Sequence, residues 1–259
     1  MLTIMPDTKL EHTKKHKFFW LDELSTKEAA QAVKAGTVVI FPIGSVEEHG
    51  DHLPLCTDSI QPEYIALEVA KKTGCLVAPP LRYGICNSTR NFAGTITIDF
   101  GTFFNMVKCI LSELVRNGFA RIIVLSGHAG QTHMVALRLA AQEIVIKNDV
   151  IGAKKKVRIM VLTDYDFAQE ISSEVTSTDD GHAGAVETSR VMAINPDLIK
   201  VKGLASFPRM PRFEVVAHPE LYFPSGVHGD PSMATVKKGK KINKYIVEQL
   251  EKLVKTIKE

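Results

Sequence analysis

The stretch Gly44-Ser45-Val46-Glu47-Glu48-His49-Gly50-Asp51-His52-Leu53-Pro54-Leu55-Cys56-Thr57-Asp58 gathers carboxylate and imidazole groups at a density that a solvated turn does not require. In a chain with 9 histidines and 29 acidic residues, an acidic residue two places before a histidine is expected about once by chance, so Glu47 and His49 alone say little. Their context says more. A second group, Ser126-Gly127-His128-Ala129-Gly130-Gln131, also follows an apolar run, and a third holds Asp180, His182 and Glu187 within a few residues. Glu47, His49, Asp58 and His128 need no thiolate to form a ligand set suited to Zn²⁺ or Mn²⁺. An aspartate can bridge two such ions, and two ions can hold a shared water as hydroxide while polarising a carbonyl. The alternative is that Glu47 and Asp58 are ordinary loop carboxylates and His128 packs at a turn. His182, in a glycine-flanked turn, is either a proton shuttle or a helix-capping group. Glu187 is a metal ligand, a base, or a first-turn glutamate favoured by the helix dipole.

The elements that would position these groups follow from periodicity. Leu21 to Gly36 reads as a helix capped by Ser25 or Thr26, and Val38 to Ile43 as a strand buried on both faces. The ligand-rich loop is then followed by a helix from Pro62 to Lys72 and a strand from Cys75 to Leu81. Tyr83 to Gly94 is a polar loop on the same rim as His49. Its Asn87, Ser88 and Arg90, with Ala129 and Asp180, are the expected substrate contacts, Arg90 suiting an anion. Thr95 to Ile98 alternates like a half-exposed strand, and Asp99 caps a helix closed by Gly118. Ile122 to Leu125, a helix from Thr132 to Lys147, and a strand from Val157 to Leu162 continue the alternation. A helix reaching Ile194 follows the His182 turn, residues 208–230 read as an ordered loop, and a last helix carries Ile242, Ile246, Leu250, Leu253 and Ile257 on one stripe. Strands alternating with helices predict an α/β fold with a mainly parallel sheet covered on both faces. Residues 20–259 are expected to form one domain, and residues 1–19 an N-terminal extension.

With 259 residues, 45% hydrophobic and 24% charged, the chain has the composition of a globular protein, and its net charge of +3 is too mild to imply nucleic acid. No apolar run reaches the roughly 20 residues of a membrane span. The 4 cysteines lack C-x-x-C spacing and no signal peptide is evident, so a cytoplasmic protein is expected. Neither a Walker pattern nor a dinucleotide fingerprint accompanies Gly127 and Gly130.

Taken in order, Gly44-Ser45-Val46-Glu47-Glu48-His49-Gly50 with Asp58, Ser126-Gly127-His128-Ala129-Gly130, and His182-Ala183-Gly184 with Glu187-Thr188-Ser189 resemble the creatininase (creatinine amidohydrolase) family. The resemblance runs from about Trp20 to Lys241 and includes Phe92-Ala93-Gly94-Thr95 and Gly226-Val227-His228-Gly229-Asp230-Pro231. It implies a three-layer α/β/α sandwich, two Zn²⁺ or Mn²⁺ ions per chain, and hydrolysis of a carbon–nitrogen bond in a small cyclic amide or formamide. By that similarity Glu47 and His49 bind different ions, Asp58 bridges them, His128 completes one shell and His182 assists proton transfer. A cytosolic homo-oligomer, often a hexamer in this family, is implied as well. Two departures stand out. Creatinine hydrolases carry a glutamate ligand where this chain has Gly130, so the second ion either recruits Glu187 or is weakly held. They also line the pocket with tryptophan, whereas the one tryptophan here is Trp20, which argues against creatinine itself. Other readings are ring-opening hydrolysis of an oxidised inositol, as in some relatives, and a non-catalytic α/β module that binds a metal or small molecule.

Overall fold

A computed structural model describes residues 19–149, 156–174, 176 and 179–259. All but one residue of the expected N-terminal extension therefore lie outside the described residues. Four strands, β1 (Val39–Ile43), β2 (Leu76–Val77), β3 (Arg121–Ser126) and β4 (Arg158–Thr163), form one parallel sheet in the order β2-β1-β3-β4. The five side chains of β1 are all buried, as β-branched and aromatic residues of a central parallel strand should be. Pro42 is tolerated in that strand because its carbonyl, and so its missing N–H, faces the side where β2 has already ended; there Leu81 donates its N–H to the Pro42 carbonyl at 3.1 Å.

Seven α-helices among the described residues cover the sheet: α1 (Thr26–Lys34), α2 (Thr57–Thr73), α3 (Phe100–Arg116), α4 (Gln131–Asn148), α5 (Asp164–Glu170), α6 (Ala185–Ile194) and α7 (Val236–Thr256). Alternate strand residues divide the core in two. Val39, Phe41, Ile122 and Val124 pack against Phe103, Val107 and Leu137 of α3 and α4. Val38, Ile40, Ile123 and Leu125 pack against Ile65, Val69, Ile246 and Leu250 of α2 and α7. These are the three layers that the resemblance implies.

Three local readings are corrected. α2 begins at Thr57 and not at Pro62, which puts Asp58 in its first turn. Proline at 62 removes the N–H that would pair with the Asp58 carbonyl, and the glycines that follow β1 and β3 come close to that freed carbonyl. A Cβ on Gly127 would lie 2.1 Å from the Asp58 carbonyl oxygen and one on Gly44 2.5 Å from it, so only glycine permits the approach. Thr95 to Ile98 joins no sheet; its isolated bridges, Val46 to Ile96 and Gly84 to Thr97, pair it with loops. α5, absent from the sequence reading, starts where Thr163 and Asp166 form a reciprocal capping box.

Candidate metal centre

The groups singled out in sequence converge at the carboxyl edge of the sheet, the usual ligand side of an open parallel sheet. β1 delivers Glu47, Glu48 and His49, β3 delivers His128, and the first turn of α2 brings Asp58 between them. From the other side, the turn before α6 brings His182 and the first turn of that helix brings Glu187. Glu47, His49, Asp58, His128 and Glu187 are all buried.

Asp58 faces both histidines. Its Oδ1 is 3.0 Å from His49 Nε2 and its Oδ2 is 2.9 Å from His128 Nδ1. Backbone carbonyls fix both rings: His49 Nδ1 meets the Glu47 carbonyl at 3.1 Å, and His128 Nε2 meets the Ile85 carbonyl at 3.0 Å. A carbonyl can only accept, so each of these nitrogens carries the proton, and the opposite nitrogen points at Asp58. Ser45 donates its hydroxyl to Asp58 Oδ2 at 2.7 Å, and Thr89 donates to Glu47 Oε1. Glu187 Oε2 lies 3.8 Å from His49 Nε2 and accepts the Ala183 N–H at 2.6 Å. Ala183 holds that position with a φ of 55°, a left-handed conformation that is strained for alanine.

These donors fit divalent cations. Glu47 Oε2 and Asp58 Oδ2 stand 2.8 and 2.9 Å from the same His128 Nδ1, which can give a proton to only one of them, and Glu47 Oε2 is buried without a hydrogen-bond partner. A cation among the three would satisfy all of them. Among the described residues, two ligand groups are compact enough for an ion: Glu47, Cys86 and His128, and His49, His182 and Glu187. Asp58 stands between the groups.

Electrostatics carry the same message. Burial pulls the His49 imidazole down, but the charge and hydrogen bond of Asp58, then Glu187 and Glu47, outweigh it and raise it to about 10. His128 is likewise lifted well above the usual range, against its burial, by Glu47 and Asp58. Burial would raise Asp58, but His49 and His128 hold it well below the ordinary carboxylate range. Burial raises Glu187 and its neighbouring histidines offset this only in part. The imidazoles therefore carry the positive charge that the acids demand. Burial, helped by Glu47, pushes the Cys86 thiol up to about 12, so it keeps its proton while the carboxylates are already anionic.

His182 donates from Nε2 to the Glu48 carbonyl at 2.8 Å and lies 3.3 Å from Glu48 Oε1. Its ring rests 4.2 Å from the His49 ring, centroid to centroid. In the neutral ring, that leaves Nδ1 to accept a proton.

A cavity of about 440 Å³ opens above Glu47, Asp58, His128, His182 and Glu187. Of the expected substrate contacts, Ser88 and Ala129 line it, whereas Asn87, Arg90 and Asp180 are not among its lining residues. Asn87 donates to the Thr132 hydroxyl at 3.2 Å, and Arg90 is exposed. Both carboxylate oxygens of Asp180 accept backbone N–H groups at the start of α6, from Ala185 at 2.7 Å and Val186 at 3.0 Å. Sequence reasoning gave no role to Cys86, Tyr165, Met210 or Phe223, and noted Glu48 only as part of the acidic run after β1. Their only signal was position, after a strand or within the aromatic and proline-rich loop.

Gly130 also lines the cavity, and a Cβ there would fall 2.5 Å from His128 Nε2. Among the described residues, the carboxylate nearest His49 after Asp58 is that of Glu187.

Comparison with known proteins agrees with this architecture. Residues 22–254 match the creatininase family model, described as creatinine amidohydrolase. The chain is 28% identical to the creatinine amidohydrolase of Pseudomonas putida over 221 residues, 80% of each chain. It is 28% identical over 247 residues, 88% of each chain, to a mycofactocin precursor peptide peptidase of Mycobacterium ulcerans (strain Agy99). A 3-dehydro-scyllo-inosose hydrolase of Thermotoga maritima is 24% identical over 277 residues, 93% of this chain and 84% of that one. A creatininase structure in its Mn form superposes with a TM-score of 0.83 at 25% identity, covering 93% of this chain and 98% of the other, and a mutant creatininase of Zn-Zn type gives the same values. The layered sheet, the ordered motifs and these matches agree: the chain is a hydrolase of the creatininase family.

Proposed function

We propose that this hydrolase is a divalent-metal-dependent amidohydrolase that cleaves a carbon–nitrogen bond in a small amide or formamide. The observation that carries this reading is Asp58, set between His49 and His128 with each ring turned so that the nitrogen not held by a backbone carbonyl faces it. Glu47 and His128 would hold one ion, His49 and Glu187 the other, with Asp58 shared. Zn²⁺ and Mn²⁺ suit these oxygen and nitrogen donors, and creatininases of Mn and Zn-Zn type are known. Such ions supply water acidified to near neutral pH and positive charge opposite a developing oxyanion.

The protein's own groups do the rest. His182, oriented by Glu48, passes a proton to the leaving nitrogen, which cannot depart as an amide anion. The Ala183 N–H pins Glu187 in place, and Tyr165 and Phe223 narrow the cavity against water. The apolar body of the site and the absence of tryptophan from its lining support an amide other than creatinine. We further propose a cytoplasmic homo-oligomer, hexameric by family resemblance, whose globular part is a single domain of residues 20–259; the near-complete exposure of Phe213 and Val215 supports a subunit contact there.

Asp58→Asn is the test. It keeps the side chain's shape while removing the bridging charge, and turnover of a responsive cyclic amide or formamide should fall by about a hundredfold or more with the fold intact. Undiminished turnover in that variant would refute the shared-ligand role.

A further inference from the structure

We infer that the catalytic cavity selects a substrate whose body, beyond the reacting carbonyl, is uncharged and apolar, an aryl or alkyl amide, and disfavours one carrying a phosphate or carboxylate. The inference rests on the hydrolase reading above and adds the substrate class. The cavity has two unlike parts. Its floor is the acidic and imidazole cluster, and its walls are Tyr165, Pro208, Met210, Pro219 and Phe223.

Polar atoms on these walls are largely committed elsewhere. The Tyr165 hydroxyl donates to the Asp180 carbonyl at 3.3 Å, so the ring is what faces the cavity. Phe223 is buried and meets His182 edge-on at 5.7 Å. His228 Nε2 is held by Asp179 at 2.9 Å. Ser88 and the small groups at Ala129, Gly130 and Gly181 complete the lining without adding charge.

No lysine or arginine lines this cavity among the described residues. Arg90 is exposed outside it, and Arg209 and Arg212 are exposed on the loop that carries Met210, the Arg212 guanidinium 5.0 Å from the Phe213 ring. A phosphate drawn against these walls would lose its hydration without gaining the forked donors that anionic groups require. An aryl or alkyl group there would gain from burial. At about 440 Å³ the cavity is in the size range of small-molecule sites.

The test uses the full chain reconstituted with Zn²⁺, its metal content measured alongside, and two probes sharing one metal-binding head: 4-methylbenzohydroxamic acid and 4-phosphonobenzohydroxamic acid. The methyl compound should bind at least about tenfold more tightly, a modest share of the cost of desolvating a phosphonate. Met210→Lys, a change at a half-exposed wall position, should shrink that ratio by about threefold or more through a new ion pair. Equal affinities, a preference for the phosphonate, an unmoved ratio in the variant, or no binding of either probe to metal-loaded protein would overturn the selectivity. Protein that takes up no metal would instead overturn the hydrolytic centre itself, and the inference with it.

Discussion

Asp58 and the two rings it faces make the site sensitive to pH in a defined direction. Without a cation, His49 holds its proton up to about pH 10, and His128 is shifted the same way. A metal ion must expel those protons to reach the ring nitrogens, so its apparent affinity should rise with pH, by about tenfold per unit for each proton displaced. Competition with a chromophoric chelator at pH 6.0 and 7.5 should show the tighter complex at the higher pH, and a flat profile would remove the histidines from the ligand set. Glu187→Gln should lower metal content toward one ion per chain while sparing the Glu47 group, which elemental analysis can read. The candidate ligands Glu47, His49, Asp58 and His128 stood out in sequence because carboxylate and imidazole are dense just after two apolar runs. The roles of Glu48, Cys86 and Tyr165 did not, because they depend on which loops meet. Asp180 shows the reverse: its motif was legible, but its carboxylate is spent on the backbone of α6.

The helix carrying Asp58 shows how an element can be mispredicted and still be essential. Pro62 read as a helix start, whereas the start lies earlier, at Thr57, and the loops after β1 and β3 sit tightly against the first turn. Gly127→Ala would place a methyl 2.1 Å from the Asp58 carbonyl oxygen, forcing the β3 loop away from α2. The expected cost is about 1–3 kcal/mol by urea unfolding, with metal content reduced as His128 moves from Asp58. Wild-type stability in that variant would show that the contact is not tight. The strands with long apolar runs, β1 and β3, were readable from composition, and so were α3 and α7 from their apolar faces. α5 is short and its capping signal, Thr163 with Asp166, sits flush against a strand end, so periodicity had nothing to work on.

Across the whole molecule, alternating side chains of one sheet feed two apolar cores, and a buried polar bond ties the site to one of them. Arg190 of α6 pairs with Asp164 of α5 and donates to the Asn243 amide oxygen of α7 at 3.1 Å, one helical turn from Glu187. Arg190 and Asp164 are both fully enclosed. Arg190→Met would strand the Asp164 charge and should cost about 3 kcal/mol or more in chemical denaturation, with part recovered by adding Asp164→Asn. The layered fold was legible because its signal is distributed over many residues, whereas this three-helix junction joins single residues far apart in sequence. All of these elements serve the proposed arrangement, a pair of cation sites sharing Asp58, and its most direct test is the metal content per chain of protein purified without chelator and then reconstituted with Zn²⁺ or Mn²⁺. Two ions per chain, falling when Asp58 is replaced by asparagine, is the result this arrangement predicts; none after reconstitution would contradict it.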